Sequence, residues 1–190
     1  MTQPTPPSHV PAGATREGDG ILIGDGPVRV DAYIDFLCPF CRQFELAAES
    51  MLAELVADHA ISLAYHPMNF LDEASTTSYS TRAAAASGCA ADQRKFLPYA
   101  HELFVRQPPE GGPGLSDAEL ADIGDAVGLS GTAFADCLVK APYRDWPSYV
   151  TERAVDAGVG GTPTVLVAGV SVEPEPREIV AAIHAAGGTP

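Results

Sequence analysis

The chain has 190 residues, 46% hydrophobic and 19% charged, which is enough apolar material for one sizeable core or two small ones and too much for global disorder. Lys and Arg number 11 against 25 Asp and Glu, leaving a formal charge of −14. Phosphate backbones and anionic membrane surfaces would be repelled, so nucleic acid is not an expected partner. No run approaches the roughly 18 consecutive apolar residues of a membrane span, and the N-terminus lacks the basic then apolar pattern of a secretory signal, so no membrane segment is expected in the chain.

Residues 1–18 carry several prolines and almost no apolar side chain except Val10, and are expected to be a flexible tail, because nothing in them offsets the entropy of ordering. Ile21 to Ile23 and Val28 to Phe36 are apolar, β-branched runs separated by Gly24-Asp25-Gly26, which predicts two short strands joined by a tight turn. From Pro39 to His59 the residues Phe40, Phe44, Ala47, Met51, Leu52, Leu55 and Val56 recur at steps of three and four, the spacing of an amphipathic helix. Ile61 to Tyr65 reads as a further strand ended by His66-Pro67, giving a strand, helix, strand unit suited to parallel pairing.

The middle of the chain reads as helical. Thr76 to Ala91 is alanine-rich; Asp92 to Arg106 places Phe96, Tyr99, Leu103 and Phe104 on one side; the Pro/Gly-rich run at 108–114 ends it. Ser116 and Glu119 have the spacing of a capping box, opening a helix that stops at Gly128. Ser130 to Val139 is a short helix, and helical spacing resumes at Pro147-Ser148. Thr164 to Val167 then reads as a buried strand, Val170 to Val172 as its hairpin partner across Gly169, and Arg177 to Ala186 as a closing helix.

Cysteine carries the chemical information. Cys38 and Cys41 form a C-x-x-C at the start of the first helix, while Cys89 and Cys137 stand alone, which points to one reactive pair and a possible staple. A thiolate, not a thiol, is the nucleophile, and the partial positive charge and unpaired N–H groups of a helix N-terminus favour it at Cys38. Pro39 in the first turn loses no needed hydrogen bond, and Cys41 falls one turn later, within reach of a disulfide to Cys38. Cys38 is therefore expected to be the exposed, acidic thiol and Cys41 the buried one. Two cysteines at this spacing are also half a zinc site, but the other half is missing: Cys89 and Cys137 are far apart, and so are His59 and His66 as ligands. No metal or other cofactor is expected.

The runs Phe36-Leu37-Cys38-Pro39-Phe40-Cys41 and Gly161-Thr162-Pro163-Thr164-Val165-Leu166-Val167 together resemble the DsbA-like branch of the thioredoxin superfamily, over about residues 21 to 187. The resemblance implies an α/β thioredoxin fold with a helical insertion: 19–74 and 158–190 would be the two parts of the thioredoxin fold and 75–157 the insertion. It implies thiol-disulfide exchange at Cys38 and Cys41, facing a cis-proline loop at Pro163. A cis bond there would leave the Thr162 backbone free to pair with an extended peptide. Phe40 is expected beside this groove, with Phe36 and Leu37 either extending an apolar rim or packing in the core. Some DsbA-like proteins have a second disulfide in the insertion, so Cys89 and Cys137 are either such a bridge or two buried free thiols.

Two departures bear on redox poise. Ala32 stands six residues before Cys38, where many relatives carry a buried acid, and strand alternation turns Asp31 and Asp35 to the other face, leaving both as expected solvated or strand-end carboxylates. Pro39-Phe40 lacks the histidine of the most oxidising members, so an intermediate potential is expected. His66, Met68, Tyr143 and Trp146 are expected to be packing residues. Expected partners are protein or peptide thiols and disulfides, and an unidentified redox partner that recycles the dithiol. The alternatives are a peptide-holding chaperone module or a metal-binding module using the C-x-x-C. The expected compartment is the cytoplasm if Met1 is the native start and extracytoplasmic otherwise.

Overall fold

Residues 4–129 and 131–187 are described by a computed structural model, so residues 1–3 of the expected tail, Ser130 at the start of an expected helix and residues 188–190 lie outside it. Five strands form one mixed sheet: β1 (Ile21–Ile23), β2 (Val28–Ile34), β3 (Ile61–Pro67), β4 (Thr164–Val167) and β5 (Val170–Val172), in the order β1-β3-β2-β4-β5. The helix α1 (Pro39–Ala57) joins β2 to β3, which run parallel with Val28 opposite Ile61 and Ile34 opposite Pro67. β4 is antiparallel to β2 and forms a hairpin with β5.

The expected hairpin between the first two strands does not form. β3 lies between them, and β1 pairs antiparallel with it through Ile21 opposite Tyr65. The linker instead crosses under the start of β3, where the Gly26 amide donates to the Ile61 carbonyl oxygen at 3.2 Å. A Cβ on Gly26 would collide with the Ile61 nitrogen, so this glycine permits a close backbone approach and not a two-residue turn.

β2 ends two residues before the predicted Phe36, because the Asp35 carbonyl accepts from the Cys38 amide at 3.0 Å and turns the chain into α1. β3 runs two residues beyond Tyr65, with the Met68 amide reaching the Ile34 carbonyl oxygen at 2.7 Å. His66 is therefore a strand residue. It is buried, stacked on Tyr33 at 4.2 Å, and held by the Asp19 carbonyl and the Asp31 carboxylate at 2.7 and 2.9 Å. Met68 is buried too.

Between β3 and β4 come α2 (Tyr79–Asp92), α3 (Phe96–Val105), α4 (Asp117–Ala126), α5 (Thr132–Lys140) and α6 (Trp146–Asp156). α2 is the hub, packing against the other four. Its alanines 83, 84, 86, 90 and 91 are buried and let those helices approach closely. The capping box is formed: the Ser116 hydroxyl accepts from the Glu119 amide and the Glu119 carboxylate accepts from the Ser116 amide. α7 (Pro176–Ala185) closes the fold, packing on α1, β4 and β5.

The second half of the expected tail is held in place. Trp146, fully buried, donates from Nε1 to the Gly18 carbonyl at 2.8 Å; the Tyr149 hydroxyl donates to the Glu17 carbonyl at 2.9 Å; and Ala14 bridges to Ile21. The reason is that α6 supplies donors to backbone carbonyls, a compensation that the tail's own side chains do not reveal.

Candidate active site

Cys38 is the N-cap of α1, Pro39 occupies the first turn and no acidic residue stands there, so the dipole at this end of the helix faces the sulfur unopposed. Both cysteines are in the dithiol state. Cys38 is not the exposed thiol expected but a buried one, 4% exposed, because the Thr162 segment lies against its sulfur at 3.3 Å, while Cys41 is fully buried as expected. The neighbouring Cys41 thiol is the largest influence on Cys38 and favours its thiolate; burial opposes this, and the Thr162 side chain and the Phe40 and Cys41 N–H groups assist, so its pKa comes down to about 6. No cap hydrogen bond to the sulfur is formed, so those N–H groups act as dipoles. Burial, reinforced by the hydrogen bond to Cys38 and by its charge, pushes the Cys41 thiol well above the ordinary range.

Across from this dithiol, the Thr162-Pro163 peptide is cis, and the Cys38 thiol donates to the Thr162 carbonyl oxygen at 3.3 Å. The Thr164 hydroxyl bonds back to the Gly161 carbonyl at 2.7 Å and shapes the approach to β4. Phe40 is 64% exposed, whereas Phe36 and Leu37 are core residues, so the apolar rim reduces to Phe40. A groove of about 360 Å³ is lined by Phe40, Phe44 and the Thr162-Pro163 loop together with Glu173 and Glu175.

Asp35 is a correction. It is not a solvated carboxylate but a fully buried one: Oδ1 accepts from the Leu37 amide at 2.8 Å and the Ser80 hydroxyl at 2.7 Å, and Oδ2 from the Leu71 amide at 2.8 Å. It thereby ties the turn before Cys38 to the loop after β3 and to α2. Burial pushes its pKa up to about 6 against the pull of these three donors. Its own amide points at the Cys41 sulfur, 3.4 Å away. Asp31 accepts from Arg29 and is also not simply solvated.

Gln107 is a second residue that local pattern did not reveal. Its Nε2 donates to the carbonyls of Phe36 and Cys38 at 3.0 and 2.9 Å, clamping the turn from beyond the end of α3. Nothing in the Pro/Gly-rich neighbourhood of Gln107 signals this role. Glu45, four residues after Cys41 on the buried face of α1, accepts from the Tyr65 hydroxyl at 3.1 Å.

Cys89 on α2 and Cys137 on α5 are bonded to each other, at a Cα separation of 5.9 Å. They stand in the helical insertion, away from the Cys38-Cys41 pair. Tyr143 packs its ring against Gly88 of α2, its hydroxyl donating to Asp92 at 2.7 Å. Among the described residues, no group of three or more His, Cys, Asp or Glu converges as a metal site, and no helix is long and apolar enough to cross a membrane.

A thioredoxin family model matches residues 17–185. In structure the chain is similar to oxidised DsbA of Mycobacterium tuberculosis, with a TM-score of 0.76 and 32% identity over 88% of this chain and 92% of that one. It is similar also to the reduced disulfide bond oxidoreductase DsbG of the same organism, with a TM-score of 0.78 and 32% identity over 91% of this chain and 89% of that one. In sequence, 126 residues are 36% identical to the serine/threonine-protein kinase PknE of Mycobacterium tuberculosis, and the match spans 22% of that kinase's length. The chain belongs to the thioredoxin family, in its DsbA-like branch of thiol-disulfide oxidoreductases.

Proposed function

We propose that the protein exchanges disulfides with protein or peptide thiols, with Cys38 as the exchanging sulfur and Cys41 as the resolving one. The observation that carries this reading is the contrast within the pair: Cys38 is held down to about 6 at a helix N-terminus, and Cys41 is buried and held up. A thiolate that forms near neutral pH is both the better leaving group and, at that pH, abundant.

In the oxidising direction a substrate thiolate attacks Cys38 of the Cys38-Cys41 disulfide. A substrate-Cys38 disulfide forms, and Cys41 leaves and takes a proton. A second substrate thiolate then attacks the substrate sulfur of that mixed disulfide, expelling the Cys38 thiolate. The substrate has lost two electrons and the enzyme has gained them, so a further redox partner must reoxidise the dithiol. In the reducing direction the same steps run backwards. Thr162, Pro163 and Phe40 line the groove beside Cys38 and would seat an extended peptide, backbone against the Thr162 segment and an apolar side chain on Phe40.

Exposure of Phe40 also favours a second reading, a peptide-holding module in which exchange is incidental. Wild type and C38S are compared for oxidation of a peptide carrying two cysteines and for suppression of aggregation. The exchange reading expects oxidation by wild type alone. Equal aggregation suppression by both proteins, with no exchange by wild type, would replace it with the holding module.

A further inference from the structure

The groove at the cis-proline loop is lined by groups of two unlike kinds. α1 contributes the rings of Phe40 and Phe44, and the turn between β5 and α7 contributes Glu173 and Glu175. Sheet register explains how this later segment comes to share a groove with Pro163. Val165 of β4 lies opposite Val172 of β5, so the next residue, Glu173, falls level with Thr164, directly after Pro163. The Cys38 sulfur meets the same loop at the Thr162 carbonyl.

Neither carboxylate is spent on the fold. Both residues are exposed, and no Lys, Arg or His of the described residues forms an ion pair with either. Glu175 is the N-cap of α7, yet its side chain makes no capping hydrogen bond. Its amide donates to the Glu173 carbonyl at 2.8 Å across Pro174, a γ-turn whose proline fixes the backbone, so the two charges are held on one tight turn. Two surface acids would by themselves be a solvated patch. Here they share one concave site with the cis-proline loop and with the Phe40 ring, 64% exposed. An aromatic face beside carboxylates suits a Lys or Arg side chain: the ring attracts the cation, the methylene stem covers apolar surface, and the carboxylates accept from the head group.

We propose that Glu173 and Glu175 make the exchange groove selective for peptides with a Lys or Arg close to the reacting cysteine, the side chain crossing Phe40 and its head group pairing with the two carboxylates. This deepens the exchange reading above and rests on it. A peptide with an acid in the same place is repelled by the same pair. The formal charge of −14 also draws cationic peptides toward the protein, but that field is spread over the whole surface, whereas the two carboxylates act at the groove.

The test compares three peptides, each with two cysteines and identical except at the residues flanking them, which are all Lys, all Gln or all Glu. Second-order rates of their oxidation by the oxidised full chain are measured at low salt, and each is divided by the rate of the same peptide with 2-hydroxyethyl disulfide, which removes the effect of the flanking charges on the thiols themselves. Wild type should favour the Lys peptide over the Gln peptide by about fivefold, the upper end for an exposed ion pair, and should disfavour the Glu peptide. E173Q/E175Q should bring the Lys-to-Gln ratio near one, and E173K/E175K should turn the preference toward the Glu peptide. D122N/D125N, which removes two exposed charges from α4 instead, should keep the wild-type ratio.

Wild type alone supplies a second measurement, which stands if a substitution disturbs folding. In about 1 M salt, where the Debye length is about 3 Å, its Lys-to-Gln ratio should fall toward one, and a ratio indifferent to salt would contradict the ion pairs. Oxidation of all three peptides at equal normalised rates would overturn the selectivity and leave exchange intact. A ratio that falls as far in D122N/D125N as in E173Q/E175Q would overturn the assignment to this groove in favour of the overall charge. No oxidation of any peptide by wild type would remove the exchange reading and this one with it.

Discussion

The Cys38 sulfur lies 3.3 Å from the Thr162 carbonyl oxygen, 124 positions away in sequence. A carbonyl can accept only from the protonated thiol and by itself would favour that form. The Cys41 thiol, the Thr162 side chain and the start of α1 favour the thiolate, and they prevail, since the pKa falls to about 6 from 9.0. Reduced protein should therefore gain stability with pH in a way the oxidised protein does not. The folded pKa is depressed, so the contribution is full above the unfolded value and lost as pH falls through about 6. Cys41, shifted upward, acts only above that window, and Asp35 and Glu45 are present in both redox forms. Measured from pH 9 down to 6, the denaturant midpoint of the reduced form should fall relative to that of the oxidised form; a pH-independent difference would contradict the thiolate assignment.

Ser80→Ala tests the buried carboxylate beside the site. The Ser80 hydroxyl donates to Asp35 at 2.7 Å, and a hydrogen bond to a charged group is worth about 1.5–3 kcal/mol. Because Ser80 pulls the Asp35 pKa down, its removal should raise that pKa further. An upward-shifted acid loses stability as pH rises through its folded pKa, so the deficit of S80A relative to wild type should be larger at pH 8 than at pH 5. Urea unfolding at both values measures it, and equal deficits would mean that the hydroxyl does not serve the ionised form.

Phe40→Ala separates binding from folding. The ring is 64% exposed, so unfolding free energy should change by no more than about 0.5 kcal/mol. KM for a disulfide peptide should rise several-fold while the rate with a small dithiol such as dithiothreitol stays at the wild-type value. An unchanged peptide KM would remove Phe40 from the binding groove.

Replacing both Cys89 and Cys137 by Ala should leave exchange at the wild-type rate and weaken the fold. Their bridge closes a loop of separation 48, for which the chain-entropy estimate is about 4 kcal/mol. Thermal unfolding and single-turnover exchange on the same preparation check both halves. A double variant as stable as wild type, or one that no longer exchanges, would contradict this division of labour.

The features legible in the chain are those whose causes lie within a few residues. Pro39 and the C-x-x-C mark the start of α1, Ser116 and Glu119 close their box across three positions, and Thr164 to Val172 carries its own turn at Gly169. The Cys38-Cys41 pair was legible for the same reason, since its spacing and its place at a helix N-terminus are both local. The partner of β1, the burial of Asp35, the clamp from Gln107 and the anchoring of Gly18 by Trp146 were not. A carboxylate can be buried only where amides and hydroxyls from distant segments converge on it, and Leu71 and Ser80 reach Asp35 across 36 and 45 positions. Sequence thus determined the local conformations and the pairing of Cys38 with Cys41 at the start of α1. The tertiary structure decided which polar groups are taken out of water beside it, because desolvation and its compensation are properties of the assembled neighbourhood and not of any one segment.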